Sequence, residues 1–353
     1  MSKEWKSAHL STAAFYAIVV LCIFTLPLLF RLPKLPMSIW LSPYNIRESN
    51  ERYIMAFGDS YTRSGFKMNW TYTKTGTEMD DMEKSERPNG KLLDGPSAIN
   101  PIGNPKLPGI TSSGGKNWII NMATEFNTTL TLAYIFARSG STVDDNIIPV
   151  RIPNRFTFGN QIIHFNDTIG HRPDYAPWTP KNTVATIWFG INDLGLVLNR
   201  GGLEGIDDRL EAANRRIFEL TELLYDIGLR QFVFIEVPPV ELYPGHQTKK
   251  CDPSHKHKHE MFLYGVNLWN RALRENTIQF GQTHPDAEAT YVDVWDIFYQ
   301  AFFYPKSLEA KNATCIDPKG KDCLWADGGH AGRKIHQLIG ARVAEKAWGE
   351  ETS

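Results

Sequence analysis

Four short runs hold side chains that could act together on a carbonyl. Phe57-Gly58-Asp59-Ser60 puts a serine directly behind a β-rich stretch, and the carboxyl end of a parallel strand is the rim at which α/β sheets take ligands. A serine hydroxyl becomes a nucleophile at neutral pH only beside a base. Asp327-Gly328-Gly329-His330 offers one, because two glycines between acid and histidine permit a tight turn that aims both at one spot. His330 would accept the Ser60 proton as general base, while Asp327 holds the imidazole tautomer and stabilises the imidazolium. Gly190-Ile191-Asn192-Asp193 follows another β-rich stretch. The Asn192 amide could donate there to a developing oxyanion, a role worth about 3 kcal/mol for one preorganised donor. In Arg138-Ser139-Gly140-Ser141 the glycine lets a backbone N–H approach a substrate closely.

Each run has a bland alternative. A G-D-S tripeptide arises by chance, and its serine could simply cap a helix. Asn and Asp are common in turns, and a lone histidine is usually structural. Their joint placement argues against all three alternatives, so the elements around them matter.

Five β-rich runs punctuate the chain: Tyr53 to Phe57, Leu130 to Ala137, Val184 to Phe189, Gln231 to Val237 and Ala289 to Val294. Several are apolar on both faces, as strands covered by helices on both sides must be. Asp207 to Ile227 repeats apolar residues at threes and fours, and Glu260 to Gln279 and His336 to Trp348 also have a helical pattern. The alternation predicts an α/β fold, a three-layer α/β/α sandwich around a five-stranded sheet. Thr62 to Thr128 interrupts the rhythm with Gly, Pro, Asn and Ser, and reads as a long insert.

The four runs, in this chain order, resemble the SGNH (GDSL-type) hydrolases, whose serine, glycine, asparagine and histidine occupy successive sequence blocks. The resemblance assigns Ser60, Gly140, Asn192 and His330 to those places, with Asp327 completing the triad. It implies a parallel, flavodoxin-like sheet and an oxyanion hole made by the N–H groups of Ser60 and Gly140 and the Asn192 amide. It also implies a serine mechanism with no cofactor and no metal. The run N-P-x-x-P-G-x-T-S-S-G-G-x-N-W at Asn104 to Trp118, followed by T-L-T-L-A-Y-x-F-A-x-x-G-x-T-V-D at Thr129 to Asp144, is similar to fungal secreted acetyl esterases and GDSL acylhydrolases. Those enzymes deacetylate short oligosaccharides, so the implied substrate is a small O-acyl ester on carbohydrate, first an O-acetyl ester. Arg138 and Ser139 depart from the F-A-Y-G-G-A that those relatives commonly show beside the glycine. A lipase or lysophospholipase is the competing reading, though the insert lacks the apolar runs that would line a lipid site. A non-catalytic, membrane-tethered binding protein on an esterase fold is the third.

The N-terminus bears on where such a domain would work. Leu10 to Phe30 is a 21-residue uncharged, mainly apolar stretch, long enough to span a bilayer. No A-x-A pattern follows it, which favours an uncleaved signal anchor over a cleaved signal peptide. Residues 1–31 thus form a membrane-directed segment, 32–46 a Pro-spaced linker, and 47–353 the hydrolase domain with its insert at 62–128. Sequons at Asn69, Asn127, Asn166 and Asn312 all lie C-terminal to the apolar stretch and suggest a lumenal or extracellular domain, secreted if the segment is cut. Arg31, Lys34 and Arg47 behind the stretch outnumber Lys3 and Lys6 before it, which opposes that orientation.

Of the four cysteines, Cys22 lies inside the apolar stretch. In an oxidising compartment Cys315 and Cys323, eight residues apart across a turn holding Pro318 and Gly320, are the natural pair, leaving Cys251, although three cysteines permit other pairings. With a formal net charge of −1 and no block of like charge, nucleic acid is not an expected partner. Oligomeric state has no signature. His255, His257 and His259 alternate with lysines, which oppose a bound cation, so Ser254 to Glu260 reads as a solvated loop. Trp70, Trp118 and Trp188 could stack on sugar or sit in the core.

Overall fold

The structure is a computed structural model that describes residues 51–68, 94–150, 156–199, 205–247 and 253–349. Five strands form one sheet: β1 (Arg52–Gly58), β2 (Thr131–Ile135), β3 (Thr183–Trp188), β4 (Gln231–Ile235) and β5 (Glu288–Val292). All neighbours pair in parallel, in the order β2-β1-β3-β4-β5. This is the doubly wound, flavodoxin-like order, whose switch point lies beside β1. Each strand overlaps one of the five β-rich runs. Strands β1, β2 and β3 are buried along nearly their whole length, which explains why their sequences are apolar on both faces.

Seven α-helices are found among the described residues: α1 (Trp118–Thr124), α2 (Phe158–Phe165), α3 (Ile191–Asn199), α4 (Ile206–Ile227), α5 (Pro253–Thr283), α6 (Trp295–Phe303) and α7 (Arg333–Trp348). Helices α1, α6 and α7 pack together on one side of the sheet, and α2 to α5 on the other. In α4 the apolar stripe Leu210, Ala213, Ile217, Leu220 and Leu224 is the buried face, as its periodicity predicts.

Two expectations are corrected. The predicted insert at 62–128 is not loop throughout, because its C-terminal part supplies α1, whose residues Trp118 to Ala123 are all buried. Asn117 caps this helix by accepting from the Ile120 N–H, a start signal masked by the surrounding glycines and serines. The histidine and lysine run is helical, not a loop, since α5 begins at Pro253. Helical spacing sets His257 and His259 on opposite sides, unlike the shared face of a strand. Among the described residues no three His, Cys, Asp or Glu side chains gather into a metal-binding group, and no helix is long and apolar enough to cross a membrane. Leu10 to Phe30 lies outside them.

Candidate active site

Ser60 stands just beyond the end of β1, in a turn closed by the Thr62 and Arg63 N–H groups on the Asp59 carbonyl. Its Oγ lies 2.8 Å from Nε2 of His330, 270 residues away in sequence. His330 Nδ1 faces both Asp327 oxygens, at 2.8 and 3.0 Å. A carboxylate only accepts, so Nδ1 carries the hydrogen and Nε2 is left to accept from the serine. The turn that presents the pair is tied by its own acid, since Asp327 Oδ1 accepts from the N–H groups of Gly329 and His330. Partial burial pushes the Asp327 carboxyl up, but the His330 and Gly329 hydrogen bonds and the His330 charge outweigh it, and the group titrates below its ordinary value.

The remaining sequence-predicted residues converge on the same serine. Gly140 follows β2 with φ of +76°, a left-handed conformation that favours glycine. Among the described residues the backbone N–H groups of Ser60 and Gly140 donate to no protein acceptor. Asn192 lies in the first turn of α3, not in a loop, and its Nδ2 donates to Asp59 Oδ2 at 2.9 Å and to the Ser141 carbonyl at 3.0 Å. Two free N–H groups and an oriented amide beside a serine, histidine and aspartate chain form an arrangement able to attack a carbonyl and hold the oxygen that becomes negative.

The family profile of GDSL-like lipases and acylhydrolases matches residues 54–343. The chain belongs to this GDSL family. It is 34% identical over 306 residues to an acetylesterase from Thermothelomyces thermophilus, covering 87% of this chain and 91% of that one. A GDSL esterase/lipase from Arabidopsis thaliana is 25% identical over 242 residues, 62% of this chain and 68% of that one. The GDSL protein described here is accordingly a carboxylic ester hydrolase. Among solved structures it resembles an α/β hydrolase from the metagenome of Lake Arreo, at 15% identity and a TM-score of 0.43, covering 86% of this chain and 97% of that one. It also resembles the acetylxylan esterase Axe2 from Geobacillus stearothermophilus, at 13% identity and a TM-score of 0.42, covering 85% and 95%.

Several residues of this GDSL site carry no signal that spacing alone reveals. Asp59, present in the first run but without a role there, bridges two site elements: Oδ1 accepts from the Tyr61 N–H at 2.9 Å and Oδ2 orients Asn192. Burial raises its carboxyl to about 6, against the lowering effect of the Tyr61 N–H and the His330 charge. Gln161 on α2 is wholly buried and clasps the Gly58 backbone from both sides, with its Nε2 also 3.3 Å from Ser141 Oγ. Asn117 donates to the carbonyls of Tyr61 and Arg63, so the conspicuous N-W pair of the long run braces the nucleophile turn.

Trp118 and Trp188 are core residues, fully buried, with their indole N–H groups on Thr62 and on the Glu236 carbonyl. They are unavailable to a sugar, and Trp70 lies outside the described residues. Cys315 and Cys323 are bonded to each other, while Cys251 is outside the described residues. Asn166 and Asn312 are exposed. Asn127 is half-buried, and its Nδ2 donates to the carbonyls of Ala123 and Thr129. Asn69 is outside the described residues.

Proposed function

We propose that this GDSL hydrolase removes O-acetyl groups from carbohydrate, with Ser60 as nucleophile, His330 as general base and then acid, and Asp327 as its orienting carboxylate. The observation that carries the reading is the hydrogen-bonded chain from Ser60 Oγ through His330 to Asp327, at 2.8 Å for each link. The choice of acetyl rests on the likeness to the Thermothelomyces acetylesterase.

In the first step Ser60 Oγ bonds to the acetyl carbon as His330 Nε2 takes its proton. The carbonyl oxygen becomes an oxyanion and meets the N–H groups of Ser60 and Gly140 and the Asn192 hydrogen that otherwise rests on the Ser141 carbonyl, the other staying on Asp59. Collapse of the tetrahedral adduct expels the sugar hydroxyl, protonated by His330, and leaves acetyl on Ser60. Water, deprotonated by the same histidine, then releases acetate and restores the serine.

Hydrolysis of 4-nitrophenyl acetate tests the reading directly. Ser60→Ala is expected to lower kcat by about 10⁴-fold or more, as loss of a triad nucleophile does elsewhere, and equal rates for variant and wild type would overturn the assignment. A preference for octanoate over acetate would overturn the acetyl choice, and inactivity on acetylated oligosaccharides the sugar. We further infer a lumenal or extracellular site of action, tethered by Leu10 to Phe30 or released if that segment is cut. The exposed sequons Asn166 and Asn312 support it, and a mass shift on treatment of the secretory-pathway protein with an endoglycosidase would test it.

A further inference from the structure

Tyr61 is the residue directly after the nucleophile, yet its side chain faces away from substrate. It is 1% exposed, enclosed by Trp188, Tyr243, His330 and His336. Its hydroxyl reaches the backbone on both sides of the site histidine: the Gly329 carbonyl at 3.1 Å and the Ala331 N–H at 3.3 Å. It also lies 2.6 Å from the Tyr243 hydroxyl. One hydroxyl has one hydrogen, and a carbonyl only accepts. With the Tyr61 hydrogen on Gly329, the Ala331 N–H and the Tyr243 O–H both donate to the Tyr61 oxygen, and all three contacts are satisfied at once.

We propose that Tyr61 is a positioning residue that fixes His330 against Ser60, so that the nucleophile turn and the acid–base turn move as one unit. This rests on the triad reading above. The geometry is economical: the main chain of residue 61 continues the serine turn, and its side chain ends on residues 329 and 331. Beside the reacting hydrogen bond, the Tyr61 hydroxyl contacts and the packing of its ring on His330 join the Ser60 and His330 segments. Burial raises the titration of both phenols far above neutrality, so the hydroxyl keeps its hydrogen throughout the working range.

The segment after β4 completes the brace. Tyr243 packs its ring edge-on to Trp325 at 4.9 Å, and the Gly245 N–H donates to the Gly328 carbonyl at 2.8 Å. A β-carbon on Gly245 would stand 2.8 Å from that carbonyl oxygen, so only glycine permits the approach. The turn holding His330 is thereby gripped from two sides, by Tyr61 beneath and by residues 243–245 alongside.

The test is steady-state kinetics of the full chain on 4-nitrophenyl acetate, with the rate of Ser60 inactivation by phenylmethylsulfonyl fluoride measured in parallel. Tyr61→Phe keeps the ring and its packing and is expected to lower kcat about tenfold with KM within about twofold, because misplacement of a catalytic group by a fraction of an ångström acts on the chemical step. Inactivation should slow by a similar factor. Tyr243→Phe removes only the donor to Tyr61 and should cost about threefold, and the double variant no more than Tyr61→Phe alone, as members of one unit do. A helix-core variant remote from the site, Ile217→Val, serves as the stability control. Wild-type kcat in Tyr61→Phe, a proportional rise in KM, or a loss matched by Ile217→Val at equal Tm would overturn the proposal. Activity retained by Ser60→Ala would instead sink the triad reading itself, so the two failures are distinct.

Discussion

The two halves of the site are built in different ways. Ser60 and Asn192 leave the sheet just past the ends of β1 and β3, and the groups that orient them, Asp59 and Gln161, are buried. Asp327 and His330 sit on an irregular segment between α6 and α7, where the Asp327 side chain is 56% exposed. A parallel strand fixes the residue that follows it through its ladder and its covering helices. A loop-borne pair has no such frame and needs added ties: the Asp327 cap on its own turn, the Tyr61 hydroxyl, the Gly245 contact and the disulfide behind it. The sheet side is therefore the electrostatically demanding half, and the loop side the mechanically demanding one.

Paired substitutions measure that contrast. Asn192→Ala removes a half-buried donor held in place by the buried Asp59, and kcat on 4-nitrophenyl acetate should fall about 10³-fold, near the upper range for one oxyanion donor. Asp327→Ala should cost less, about 10²-fold, because the carboxylate already shares its hydrogen bonds with solvent and water can take over part of its role. Fully buried triad acids elsewhere cost more. If Asp327→Ala proved the more damaging of the two, the proposed division between the halves would break.

The mechanical half has its own test. Cys315 and Cys323 close a short loop, and Asp317 inside it accepts from the N–H groups of Lys319, Lys321 and Asp322. From this loop the chain runs through Trp325, paired with Ala331, directly into the acid–base turn. The chain-entropy model gives roughly 2–3 kcal/mol for a loop of this size. Replacing both cysteines by alanine should lower Tm accordingly and raise the initial rate of proteolysis in 311–326, with kcat reduced less than tenfold. Unchanged Tm would mean that Asp317 and its neighbours already hold the loop.

Legibility in the sequence follows the same division. Strands β1 to β4 are readable because burial on both faces forces continuous apolar runs, whereas the half-buried edge strand β5 shows only β-rich composition. Ser60, Gly140 and Asn192 are readable because they follow three of the buried strands. The Asp327 and His330 pair was visible as residue types, through the two glycines between them. Its braces were not: Tyr61 and Tyr243 are 182 positions apart and meet only in three dimensions. Helix α1 was hidden by glycines and serines ahead of Asn117, and the start of α5 by alternating histidine and lysine. For Trp118 the sequence leaves sugar stacking and the core equally open, and the fold decides for the core.

The smallest expected effect concerns the buried charge of the sheet half. Asp193, beside Asn192, is fully buried, with Oδ1 on the Val143 N–H and, among the described residues, no hydrogen-bond partner for Oδ2. Burial raises its carboxyl to about 7, and the Asp59 charge adds to the shift. An unfolded aspartate titrates near 4. Between about pH 4 and 7 the native state thus holds more protons than the unfolded state, and stability falls as pH rises through that window. Asp327 acts in the opposite sense and only in acid, since its lowered native titration removes stability as pH falls below its unfolded value. Asp193→Asn keeps an acceptor for Val143 and cannot ionise. It should flatten the loss of Tm between pH 5 and pH 8 and stabilise the protein at pH 8 by on the order of 2 kcal/mol, less than the full linkage because the new amide leaves a buried hydrogen unpaired. Asp59, raised to about 6, keeps the remainder of the slope. An unchanged slope in Asp193→Asn would mean that the pH dependence originates elsewhere, and the sheet half would lose its claim to the buried charge.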